Sequence, residues 1–68
     1  MTREDIEHLA EVAESVKAQF NLSDADCDAV AGRFLWAIHA SKNNPRFSEE
    51  NFRKRARGES ADIFKVNP

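Results

Sequence analysis

Residues Ser23 to Ser41 read SDADCDAVAGRFLWAIHAS, and this stretch decides the fold. Wound at about 100° per residue, it sets Cys27, Val30, Ala31, Phe34, Leu35 and Ile38 on one face. Trp36 points the other way, among Ala25, Ala29, Gly32 and Ala40. A surface helix carries one apolar stripe and one charged face. This one has two apolar sides, so it reads as the central helix of an all-α chain, covered on both. Ser23 is its N-cap, and Asp24 and Asp26 occupy the first turn, where negative charge suits the helix dipole. Leu22 and Cys27 stand at the positions of a hydrophobic staple. Asp24, Asp26 and Asp28 have the spacing that opens a calcium loop, but Ala29 stands where that loop needs Gly and Leu35 where it needs Glu. The three aspartates are helix-start residues.

Upstream, Thr2 is an N-cap with Asp5 in the capping-box position. Ile6, Leu9, Ala10, Ala13, Val16 and Phe20 then recur at steps of three and four, which predicts an amphipathic helix over about 3–20. Its outer face carries Glu4, Glu7, Glu11 and Glu14. Asn21-Leu22-Ser23 is short enough to make the first two helices an antiparallel hairpin, with Ile6, Leu9, Ala13, Val16 and Phe20 packed on Val30, Phe34 and Ile38. The central helix is expected over about 24–42. Asn43-Asn44-Pro45 stops it, because Asn tolerates the left-handed conformation and Pro cannot continue the ladder. Ser48 caps a short third helix over about 49–57, with Glu49 and Glu50 in its first turn, Phe47 and Phe52 as its staple and Gly58 as its C′ residue. Residues 59–68 hold Ile63, Phe64 and Val66, too apolar for a free tail, and are expected to fold back in an ordered segment. Their first expected seat is the Trp36 side; a second molecule is the alternative cover.

The run NPRFSEENF, with Ala56 and Gly58 after it, resembles a pattern seen in short all-helical bacteriophage and prophage accessory proteins. These leave one helix through Asn-Pro-Arg-Phe and enter another that bears an aromatic residue five positions on. Asn44, Pro45, Arg46, Phe47 and Phe52 carry the likeness, which covers about a quarter of the chain. Arg55 and Arg57 stand where such proteins often have a small cysteine-containing turn. The family has no agreed activity, so the likeness implies a viral origin rather than a reaction.

At 68 residues the chain makes one small domain near the lower size limit for folding alone. Domains this small commonly need a disulfide, a metal or a second subunit. The single cysteine excludes an internal disulfide, and Cys27 falls on the inner face as a small buried hydrophobe. A lone thiol and no signal-like apolar run lead to the expectation of a reducing, cytoplasmic setting, that of the host if the chain is viral. No stretch approaches the roughly 20 apolar residues of a membrane span. Charge changes sign along the chain: residues 1–30 carry two cations against eight carboxylates, and residues 31–68 carry eight cations against four. The simplest reading is that the two halves face each other when folded.

No catalytic constellation is present: the chain has no Gly-rich phosphate loop, no nucleophile motif and no CxxC pair. His8 has only Glu4 and Glu11 near it in sequence, and His39 stands alone, short of the three or four converging ligands of a metal site. No cofactor and no enzymatic activity are therefore expected. Two surfaces remain. Trp36 with Ala29, Gly32, Arg33 and Ala40 forms a flat seat for another backbone, and tryptophan and arginine dominate interface hot spots. It makes the chain an interaction or regulatory protein, expected as a homodimer or bound to a bacterial or phage protein. The alternative is a DNA-binding accessory protein using Arg46, Arg53, Lys54, Arg55 and Arg57 on the third helix. The proline turn before that helix and the overall acidic balance weigh against it.

Overall fold

A computed structural model describes residues 1–66. Thr2 starts α1 (Arg3–Phe20) through a complete capping box: Asp5 N–H donates to the Thr2 hydroxyl, and Thr2 N–H donates to the Asp5 carboxylate at 2.9 Å. Asn21, at φ 53°, closes α1 in the left-handed conformation. Ser23 caps α2 (Asp24–Ala40) by accepting from Asp26 N–H. Asn43 turns left-handed at φ 61°, and the Asn44 amide donates to the carbonyls of Ile38 and Ser41, groups that the end of a helix otherwise leaves unpaired. Ser48 caps α3 (Glu49–Ala56), and Gly58 at φ 90° closes it. There Gly58 N–H reaches the Arg55 carbonyl and Glu59 N–H the Lys54 carbonyl, the paired bonds of a Schellman motif. The described residues contain no strand, so the fold is all-α.

Helix directions follow from contacts at the ends. The Met1 amine donates to Ser41 Oγ, the Lys42 carbonyl and Asn44 Oδ1, and Lys17 pairs with Asp24 at 3.6 Å, so α1 and α2 run antiparallel. Lys17 Nζ also donates to the Arg57 carbonyl at 2.7 Å, which sets the end of α3 beside the end of α1. At its other end α3 touches the end of α2, where His39 bonds Glu49 and stacks on Phe47 at 6.1 Å between ring centroids. The short helix therefore lies along the hairpin, antiparallel to α2. One core joins Ile6, Ala10 and Ala13 of α1, Ala31, Leu35 and Ile38 of α2, Phe52 and Ala56 of α3, and Ile63 of the C-terminal segment. Alanines at 10, 13, 31 and 56 let the three backbones approach closely around Phe52, which is wholly buried and meets Phe47 edge-on.

Several expectations need correction. Phe20 does not pack in the hairpin; it is 65% exposed. It stands on the last turn of α1, beyond the buried positions Ile6, Ala10 and Ala13 of that helix. Phe34 and Val30 are half-buried rather than central. The C-terminal segment does not cover Trp36. Ser48 N–H bonds the Ile63 carbonyl at 2.7 Å, the Asn51 amide bonds the Asp62 carbonyl, and Phe64 lies under the Arg3 guanidinium, 4.3 Å from the ring centroid. Those bonds hold residues 62–64 beside the starts of α3 and α1. Of the segment expected over 59–68, Asn67 and Pro68 lie outside the described residues. Among the described residues α2 is covered on one side only.

Candidate functional site

The uncovered side of α2 is built by its helical period. Cys27, Ala31, Leu35 and Ile38 point into the protein and are buried. Half a turn away, Ala25, Ala29, Trp36 and Ala40 are exposed, with Arg33 and Ala37 along one edge and half-buried Gly32 toward α3. Trp36 is 72% exposed. Between the charged flank of Asp26 and Arg33 and the α3 side, the remaining residues of this face are alanine or glycine, so the indole stands above a floor of backbone and methyl groups. The steps of four, three, four and four from Ala25 through Ala29, Gly32 and Trp36 to Ala40 keep these residues on one stripe of the helix. A Cβ built on Gly32 would come no closer than 3.7 Å to another residue, the Arg53 guanidinium, so the glycine is not there to avoid a clash within the chain.

The basic residues of the second candidate do not gather on one free face. Arg53 donates to the Asp28 carbonyl at 3.0 Å, and Arg57 pairs with the Asp28 carboxylate at 3.1 Å and with Glu59 at 2.8 Å. The Arg57 charge is held above its ordinary pKa by the Glu59 bond first and by Asp28 after it. Lys54 turns to Glu50 on its own helix at 3.9 Å. Arg46 is exposed in the loop before α3, and Arg55 is half-buried. Two of the five cations are thus spent on clamping α3 to α2. The acidic half of the chain does meet the basic half, but through Asp28; the stripe Glu4, Glu7, Glu11 and Glu14 is exposed and enters no ion pair among the described residues. Sequence reading missed Asp28. A carboxylate one turn beyond the helix start, on the flank between the buried and exposed faces, was the available signal.

Cys27 is a free, buried thiol. Among the described residues no group of three or more His, Cys, Asp or Glu is placed to hold a metal ion, and no helix is long and apolar enough to cross a membrane. His39 is joined to Glu49 rather than to a second ligand. What the surface offers chemically is one large apolar side chain on a smooth helical face, with an arginine beside it. Comparison with protein-family models, curated proteins and solved structures finds no significant match, so the surface has to be read from its own chemistry.

Proposed function

We propose that this chain is a small non-enzymatic interaction protein that binds a protein surface through the outer face of α2, with Trp36 as anchor and Ala29, Gly32, Arg33 and Ala40 around it. The observation that carries the reading is the 72% exposure of Trp36 in a chain that fully encloses its core aromatic, Phe52. Leaving an indole in water forgoes about 2 kcal/mol or more of burial, and interfaces are where such side chains recover it. The cytoplasm of a bacterial cell is the setting that goes with this reading. A viral origin is supported by the likeness of Asn44–Gly58 to short phage proteins.

The test is retention of proteins from a bacterial lysate by the immobilised wild-type chain and by Trp36→Ala. The expected result is a protein retained by the first and lost by the second, with Ala40→Glu behaving like Trp36→Ala. Identical retention by all three, in a chain that also does not associate with itself, would sink the reading. Duplex DNA offered at about 150 mM salt is expected to bind no tighter than the micromolar range of non-specific contacts. Nanomolar binding abolished by Arg53→Ala with Arg55→Ala would favour the basic helix instead.

A further inference from the structure

We infer that the occupant of the Trp36 face is a second copy of the same face, packed antiparallel about a two-fold axis between Ala29 and Gly32. This rests on the interaction reading above and gives it a partner. The argument is self-complementarity. The face holds a knob, Trp36, and a seat for a knob, the stretch of Ala25 and Ala29, at different heights on one helix. A two-fold contact uses the same patch on both molecules, so knob and seat must lie on opposite sides of the axis. They do. With Gly32 opposite the partner's Ala29, Trp36 falls opposite the partner's Ala25, and both relations occur twice. Glycine and alanine at the crossing allow the axes to approach to about 8 Å, the close end of helix packing.

Charge selects the same arrangement. Asp26 and Arg33 are exposed, stand seven residues apart on one flank of the face, and enter no ion pair among the described residues. In the antiparallel register Arg33 comes within about 3 Å, measured along the helix axis, of the partner's Asp26. The pair forms twice. A parallel two-fold would instead turn this flank toward the partner's opposite flank, so that Asp26 and Arg33 would not meet each other. On the other flank Arg53 is already matched by Asp28, so no uncompensated charge is brought to the seam. Antiparallel helix dipoles add to the preference. A contact of one helix on its copy belongs to the small class of interfaces, below about 1,200 Å² in total, which sets the expected affinity in the micromolar range.

Sedimentation equilibrium across a concentration series decides the matter, with circular dichroism melting to show that each variant is folded. The wild-type mass should rise from the 7.7 kDa of one chain toward twice that value. Ala29→Glu should stay monomeric and keep its melt, since residue 29 faces solvent. Asp26→Arg alone and Arg33→Asp alone should each weaken association about tenfold or more, because each reversal spoils two pairs per dimer. An equimolar mixture of these two variants should regain the wild-type midpoint, since each restores opposite charges across the seam. A wild-type chain monomeric throughout, or a dimer indifferent to Ala29→Glu and to the charge reversals, would overturn the inference. If such a monomer still retains a lysate protein through Trp36, the interaction reading stands while the two-fold contact falls. If it retains none, both fall.

Discussion

Asp5 ties the first cap of the fold to pH. Its carboxylate is held below its ordinary pKa, first by the Thr2 backbone N–H and then by the Thr2 hydroxyl. A folded value below the unfolded one means that its stabilisation is complete above the normal carboxylate range and is lost as pH falls through the lowered value. Asp5→Asn keeps an oxygen acceptor without the charge. Its urea midpoint should therefore fall short of wild type at neutral pH, and the gap should close below about pH 4. A gap constant across pH would deny the carboxylate charge any part in the cap. Phe52 and Trp36 make the opposite pair of side chains. Phe52→Ala removes a ring that is 0% exposed and should destabilise by about 3–5 kcal/mol, enough to unfold a domain of this size. Trp36→Ala should move the melt by no more than about 0.5 kcal/mol equivalent in the monomer, because the ring supports nothing beneath it. Both are read by thermal or urea unfolding.

At the scale of elements, caps decide where helices stop and a few polar clamps decide where they lie. Gly58 sits at φ 90° with nothing within 4 Å of where a Cβ would be. Gly58→Ala should accordingly destabilise by about 1 kcal/mol through backbone conformation alone, and Gly58→Asn by less, since Asn visits the left-handed region more readily. Asp28 is the clamp, joined to both Arg53 and Arg57 of α3. Asp28→Ala should lower the melting temperature by a few degrees at low salt and by less at high salt. Equal losses at both would assign the effect to packing. These two features also mark what was legible in the chain. Thr2, Ser23, Ser48, Asn43 and Gly58 act on neighbours within a few residues, so their roles could be read directly from order in the sequence. The clamp joins positions 25 and 29 apart, and the Ser48–Ile63 bond that steers the C-terminal segment joins positions 15 apart. Period and capping say which way a side chain points, not what arrives there. For that reason the orientation of Trp36 is legible in the sequence and its exposure is not, and the period carries Phe20 into a core whose buried α1 residues end at Ala13, about two turns before it.

As a whole molecule the chain closes on itself. Its radius of gyration, 11.2 Å, is close to the roughly 11 Å of a compact chain of this length, and its core of three helices and Ile63 needs no second subunit to enclose Phe52. Association through α2 would therefore be an addition to a finished fold and reversible by dilution. The same geometry gives the protein an unusual optical property. Trp36 is its one tryptophan and it has no tyrosine, so ultraviolet emission excited at long wavelength comes from a single indole on the outer face. That indole is in water whether the monomer is folded or not. Urea should consequently shift the emission maximum very little in dilute solution, while circular dichroism records the full loss of helix. Raising the concentration, or adding a true partner, should move the maximum to shorter wavelength with no change in helix content. A large red shift on unfolding at low concentration would mean that the ring is shielded in the monomer. The chain is thus blind, by its own fluorescence, to its folding, and sensitive to being touched.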